Sequence, residues 1–140
     1  MERRIATVLI ADVVGYGRLS QADDEGTRAR FQADLREVFE PKIAGHHGRL
    51  VKTMGDGLLV EFHSVVNAVR CAVEIQRAKS ERDAGVPADH RLVFRIGVNL
   101  GDVIIEGDDI HGDGVIIAER LQQVATKGGI AVSAAAYEQV

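Results

Sequence analysis

The stretch from Val51 to Val60, Val-Lys-Thr-Met-Gly-Asp-Gly-Leu-Leu-Val, constrains the fold more than any other part of the chain. Apolar and β-branched residues flank an Asp-Gly pair, the strongest short-range signal for a tight β-hairpin, because both central positions tolerate positive φ. Turn chemistry accounts for Asp56 and Gly57. It leaves out Gly55, which strips bulk from beside the Asp56 carboxylate, and Lys52, a charge inside an otherwise apolar strand. A bare carboxylate at a hairpin tip with an ammonium a few residues back suits a metal or a phosphate, while a solvated turn is the plainer account of an isolated Asp-Gly.

At 140 residues, 46% hydrophobic and 27% charged, the chain has the size of one globular domain, 1–140, and the apolar content for a core. A net charge of −4 argues against a nucleic-acid surface, which needs clustered Lys and Arg to displace counterions, so a bound nucleotide would be a small one held locally. Cys71 stands alone, which excludes a disulfide framework and a cysteine-based zinc site. His46, His47, His63, His90 and His111 show no H-x-x-x-H spacing, and the pair His46-His47 reads as a helix C-terminal cap. No apolar run is long enough for a membrane span, and Met1 leads through Glu2-Arg3-Arg4 directly into a strand without signal-peptide architecture. The expectation is a cytoplasmic protein with no membrane partner.

Ile5 to Ala11 is a short continuous apolar run, as in a central strand covered on both faces, and it ends in Asp12. A carboxylate there is costly to leave unpaired, so a metal, a cation or backbone N–H groups should meet it. Gly15 and Gly17, around Tyr16, could let backbone amides approach phosphate oxygens, although a plain turn explains them nearly as well. Gln21 to Gly45 is helical in pattern, with Phe31, Leu35, Val38, Phe39 and Ile43 on one face and Pro41 as an interruption. His46-His47-Gly48 ends that helix, Arg49 to Phe62 is the hairpin, and Ser64 caps a second helix whose apolar face carries Val65, Val69, Ala72 and Val73.

Asp83 to Arg91 reads as a loop. Leu92–Leu100 and Val103–Glu106 read as two strands joined by a Gly101-Asp102 turn. The acidic, glycine-rich run Gly107 to Gly114 invites a calcium loop, but counting from Asp109 puts His111 third and Arg120 twelfth, where oxygen ligands are required, so that reading fails. Val115 to Ala125 is a third helix with Ile117, Leu121 and Val124 as its core stripe; Ile116 beside Arg120 on the other face suggests cover by a partner. Gly129–Val132 is a short strand and Ser133 caps a last helix, within which the sequence stops like a fragment. The order implies an α+β sandwich, helices on one face of a mainly antiparallel sheet, of ferredoxin-like βαββαβ topology with an added hairpin and helices.

Four stretches, Ile10–Tyr16 (Ile-Ala-Asp-Val-Val-Gly-Tyr), Lys52–Gly57 (Lys-Thr-Met-Gly-Asp-Gly), Arg95–Gly101 (Arg-Ile-Gly-Val-Asn-Leu-Gly) and Asp109–Val115 (Asp-Ile-His-Gly-Asp-Gly-Val), together resemble the class III nucleotidyl cyclase catalytic domain in its bacterial adenylyl cyclase form. The resemblance runs from Ile5 to Val140. It implies that Asp12 and Asp56, with the Val13 carbonyl, hold two divalent cations, Mg2+ or Mn2+; that Gly15 and Tyr16 lie against substrate; that Lys52 and Asp109 read the base; and that Arg120 stabilises charge on the α-phosphate. An ammonium can donate to adenine N1 and a carboxylate can accept from its amino group, so ATP is the expected substrate, cyclic AMP and pyrophosphate the products, and intracellular signalling the role. In the family the two metal carboxylates come from one subunit, and the base readers and the arginine from its partner, which implies a homodimer.

Two features depart from the family. Ile116 stands where a hydrogen-bonding asparagine is expected, one turn before Arg120, and the family continues past this point with sheet strands that carry a phosphate-binding lysine, so a C-terminally truncated domain is implied. A catalytically weak or inactive cyclase-like nucleotide-binding and dimerisation module is therefore the alternative. A diguanylate cyclase ranks last, since Met54-Gly55-Asp56-Gly57-Leu58 lacks the second acid and the aromatic of that family's hairpin.

Overall fold

The apolar run that begins at Ile5 lies within β1 (Glu2–Val13), an interior strand of a six-stranded sheet in the computed structural model, which describes residues 2–140. The Arg49–Phe62 hairpin is β2 (Arg49–Met54) and β3 (Gly57–Phe62), and β3 runs antiparallel beside β1, Leu9 opposite Val60 and Asp12 opposite Gly57. On the other side of β1 lies β4 (Phe94–Glu106), followed by β5 (Asp109–His111); the strand order is β2-β3-β1-β4-β5. A last strand, β6 (Ile130–Val132), pairs parallel with β4.

The single strand β4 corrects the expectation of a turn at Gly101-Asp102. Both residues continue the ladder, Gly101 opposite Ala6 and Asp102 opposite Ile5. The glycine is there for a close approach instead: a Cβ on Gly101 would come 3.3 Å from the Gly114 Cα. The real turn falls at Gly107-Asp108, with Gly107 at φ 63°, and the run beyond it forms β5.

The helical stretch begins earlier than its periodicity suggests and is broken once. α1 (Tyr16–Ala22) gives way at Asp23, whose carboxylate accepts from the Gly26 N–H at 3.0 Å and starts α2 (Asp24–Asp34). α2 passes through a π-helical turn, Leu35–Phe39, into α3 (Glu40–Gly45). Pro41, which has no N–H to donate, is accommodated just after that turn, where the Glu40 N–H bonds back to the Leu35 carbonyl. His46 forms the C-cap, as expected, and His47 at φ 59° lets the Gly48 N–H reach the Ile43 carbonyl at 2.8 Å. The Ser64 hydroxyl caps α4 (Val65–Asp83) by accepting from the Asn67 N–H at 3.2 Å, and Ser133 caps α6 (Ala134–Tyr137) in the same way.

The two faces of the sheet are covered unequally. On one, Leu9, Ala11, Val13, Leu58, Val60, Phe62, Phe94, Ile96 and Val98 pack with the apolar residues of α2, α3, α4 and α6 in the main core. On the other, Ala6, Val8, Ile10, Leu59 and Val103 meet a single helix, α5 (Asp113–Val124), through Ala118. Helices therefore lie on both faces, not one. α5 also buries a different stripe from the one its hydrophobicity suggests: Gly114, Ala118 and Gln122 face inward, while Ile117 is 43% and Val124 75% exposed. The strand beneath explains it, since a Cβ on Gly97 would lie 2.4 Å from the Ala118 carbonyl oxygen. A helix seated that close has room only for small residues and chain backbone underneath.

Candidate active site

β1 and the β2–β3 hairpin bring Asp12 and Asp56 together. The Val13 N–H donates both to the Asp56 carbonyl and to Asp12 Oδ1, each at 3.0 Å, pinning the hairpin tip to the strand end. Within the turn the left-handed residue is Gly55, φ 59°, and Gly57 already belongs to β3. Gly57 is needed for proximity: a Cβ there would fall 2.5 Å from the Ala11 carbonyl oxygen and 3.2 Å from Asp12 Oδ1. Burial first, then a hydrogen bond and repulsion from Asp56, push the Asp12 carboxyl from its ordinary 3.8 up to about 7, and Glu119 of α5 acts in the same direction. Two acids this close repel when both are ionised, and a cation between them would relieve that repulsion. Their hard oxygens suit magnesium or manganese, which are commonly held by one or two carboxylates together with substrate phosphates.

Lys52 and Asp109 come from opposite edges of the sheet, β2 and β5, yet Lys52 Nζ lies 3.1 Å from Asp109 Oδ2. The sheet is curled until its edges touch. The hydrogen bond from Lys52 comes first among the causes that hold the Asp109 carboxyl below its usual range, and the Ile110 N–H, 2.8 Å from Asp109 Oδ1, adds to it. Lys52 lies opposite Leu59 in the ladder, and Leu59 packs on the α5 face, as does Ile10 two residues before Asp12. Both acid-bearing pairs thus open onto the same side of the sheet.

Arg120 and Ile116 lie together on the outer face of α5, both exposed, Ile116 at 48%. Among the described residues Arg120 makes no hydrogen bond or ion pair. Within one protomer the structure does not join Arg120 to the carboxylates by any such contact. Gly15, φ 66°, precedes α1 and is exposed, whereas the Tyr16 ring turns away into the main core, edge-on to Phe31 at 6.2 Å. A cavity of about 600 Å³ lined by Val14, Arg18, Arg30 and Lys127 lies behind the strand end and includes neither Asp12 nor Asp56, both of which are partly buried.

Sequence reasoning missed three polar features. Glu61, 4% exposed in an apolar strand, is held by Arg4 and by Arg49, whose Nη2 donates to Glu61 Oε1 at 2.9 Å; burial would raise its carboxyl, but the two arginines outweigh burial and lower it. Asn99 on β4 donates to the Gly114 carbonyl at 3.0 Å, tying the start of α5 to the sheet. Lys79, 5% exposed, reaches Asp34 at 2.6 Å and Asp83 at 3.2 Å, while Arg82 bonds both Asp34 and Glu37. For Glu61 the signal was available, as a charge inside an apolar strand with arginines on both neighbouring strands. Cys71 is inert, its thiol pushed by burial up to about 12.

An antiparallel sheet curled edge to edge, with one helix on its open face and paired carboxylates at a strand end, is the architecture of class III nucleotidyl cyclase domains. Comparison with known proteins agrees. The family described as the adenylate and guanylate cyclase catalytic domain matches residues 2–140, and the chain belongs to it. It is 45% identical to "Putative adenylate cyclase 3" of Rhizobium meliloti over 100% of the chain and 24% of that protein. It is 29% identical to an adenylate cyclase of Streptomyces coelicolor over 100% of the chain and 35% of that protein, so it spans about a quarter to a third of these relatives. Among solved structures, an adenylate/guanylate cyclase/hydrolase from Silicibacter pomeroyi superposes with a TM-score of 0.90 at 40% identity, covering 98% of this chain and 80% of that one. The guanylyl cyclase Cya2 gives a TM-score of 0.85 at 27% identity, covering 99% and 79%. No helix is long and apolar enough to cross a membrane among the described residues.

Proposed function

We propose that this domain is an adenylyl cyclase, converting ATP to 3′,5′-cyclic AMP and pyrophosphate at the interface of a homodimer, for intracellular signalling. The observation that carries the reading is the Asp12–Asp56 pair, two acids brought together at a strand end and a hairpin tip that the Val13 N–H pins to each other. Asp12, Asp56 and the Val13 carbonyl would hold Mg2+ or Mn2+. When bound, such ions supply charge neutralisation of the triphosphate and a lowered pKa for the ribose 3′-hydroxyl. Lys52 donates to adenine N1 and Asp109 accepts from the adenine amino group; guanine would face them with a donor and an acceptor of the wrong kind. Gly15 offers backbone free of bulk for phosphate oxygens, and Tyr16 contributes through its backbone. Arg120, which makes no hydrogen bond or ion pair among the described residues, is available to the α-phosphate in the partner's site. The adenylate cyclase names of the relatives favour ATP, as does the Lys52–Asp109 pair.

One observation favours a second reading, a domain that binds nucleotide and dimerises with little turnover: Ile116 projects beside Arg120 and offers no hydrogen bond. Assay of purified protein for cyclic AMP and cyclic GMP, with manganese and each nucleoside triphosphate, decides between them. Cyclic AMP from ATP supports the first. Metal-dependent ATP binding without product supports the second, and cyclic GMP as the main product overturns the base assignment.

A further inference from the structure

The strand order leaves β2 at one edge of the sheet and β5 at the other, yet side chains bridge the edges at two points. One is the Lys52–Asp109 pair, whose side chains are 43% and 42% exposed and which, in water, has little hold of its own. The other is anchored. Arg49 Nη1 donates to the Asp108 carbonyl at 2.8 Å, while Arg49 Nη2 donates to Glu61 Oε1 at 2.9 Å. Glu61 stands on interior strand β3, directly opposite Arg49 in the ladder, is buried, and is gripped on its second oxygen by Arg4 of β1. A planar guanidinium bonded at both ends has little freedom to swing. The backbone it holds belongs to the residue immediately before Asp109.

We propose that Glu61 and Arg49 are positioning residues that clamp the Gly107-Asp108 turn against β2 and so hold Asp109 beside Lys52 in the geometry that selects adenine over guanine. The inference rests on the reading of Lys52 and Asp109 as the base-contacting pair. Without the clamp the edges can part, and a carboxylate displaced by about 1 Å loses its hydrogen bond to the amino group. The triphosphate end is anchored elsewhere, at Asp12 and Asp56 on β1 and the hairpin tip. Loosening the clamp should therefore weaken base discrimination and spare metal–triphosphate binding.

Manganese-ATP and manganese-GTP affinities, measured by calorimetry with melting temperatures alongside, test this in wild type, Arg49→Met, Arg49→Lys, Arg4→Met and Asp109→Asn. Arg49→Met is expected to narrow the preference for ATP by on the order of ten-fold, mainly through weaker ATP binding. Arg49→Lys should keep part of it, since one ammonium cannot serve both acceptors as a fork does. Arg4→Met loosens the same carboxylate without touching the turn, and should lower the melting temperature and leave the preference intact. A preference lost in Asp109→Asn but unchanged in Arg49→Met overturns the clamp and leaves the base reading standing. A preference absent in wild type, or unchanged in Asp109→Asn, overturns the base reading and the clamp with it. Equal losses of preference in Arg49→Met and Arg4→Met mark a merely structural role and also refute the proposal. Should Arg49→Met fail to fold, Arg49→Met with Glu61→Gln, which leaves no unpaired buried carboxylate, takes its place.

Discussion

Replacing Asp56 with asparagine should make the metal-free protein more stable at pH 8 and no more stable at pH 5. The Asp12 carboxyl is raised from 3.8 to about 7 by burial, by the Asp56 hydrogen bond and by Asp56 charge. Between those values the folded protein binds more protons than the unfolded chain, so stability falls as pH rises through the window and the full penalty is present above it. A rise of that size corresponds to about 4 kcal/mol at full strength; both carboxylates are partly solvated and screened, and burial, the largest cause, survives the substitution. The part owed to Asp56 is then about 1 kcal/mol, or roughly 3 °C in melting temperature for a domain of this size. Thermal melts in EDTA at pH 5 and pH 8, repeated at pH 8 with manganese, measure it. Manganese should raise the wild-type midpoint and leave Asp56→Asn unmoved. A variant that melts at or below wild type at pH 8 in EDTA would show that the two acids are not in conflict, and the case for a cation between them would fall with it.

Lys52→Glu combined with Asp109→Cys should shift nucleotide preference from ATP toward GTP, each mismatched polar contact costing about 1–3 kcal/mol, as read from relative kcat/KM or affinity; unchanged preference excludes these residues from base recognition. Ile116→Asn should leave stability within about 1 kcal/mol, since the side chain is 48% exposed, and should raise kcat about ten-fold or more with KM for ATP little altered; brisk wild-type turnover with no gain would mean the site has another donor. Lys79→Ala should cost about 1–3 kcal/mol in urea denaturation by leaving buried Asp34 with Arg82 as its remaining cation, whereas Lys79→Met with Asp34→Leu should lie nearer wild type; equal losses in both would put the stability in packing and not in the charges.

The hairpin, the helix caps at Ser64 and Ser133 and the central place of the first strand were all legible because each is marked by residues close in sequence. The strand at Phe94–Glu106 was not, since Gly101-Asp102 has the composition of a turn and only the helix lying over it reveals that the glycine makes room. The Asp12–Asp56 proximity follows from a strand end and a hairpin tip that the ladder sets side by side, so periodicity alone could nominate each acid but not join them. Glu61 was marked as a charge inside an apolar strand, but its partners Arg4 and Arg49 lie on flanking strands, and the burial of Lys79 shows itself chiefly through Asp34 on α2, far away in sequence.

α5 shows most plainly how fold and site depend on one packing decision. Its sequence offers Ile117, Leu121 and Val124 as an inward stripe, and a helix resting on ordinary strand side chains would bury them. Here the strand presents Gly97, Asn99 and Gly101 toward the helix, and Gly114, Ala118 and Gln122 descend onto them until backbone nearly touches backbone. Rotated that way, the helix cannot also bury its larger apolar residues, and Ile116, Ile117 and Val124 are turned outward beside Arg120. Fully burying side chains of this size is worth about 1.5–3 kcal/mol each, and Ile116 and Ile117 are already about half covered while Val124 is mostly exposed, so the three offer a few kcal/mol to any surface that covers them. Association of two chains costs at least that much in lost freedom. In the proposed homodimer each copy brings such a patch, so the doubled gain is of the order of the association cost and leaves little surplus, and contacts from other elements or nucleotide bridging the two protomers would have to supply a firm hold.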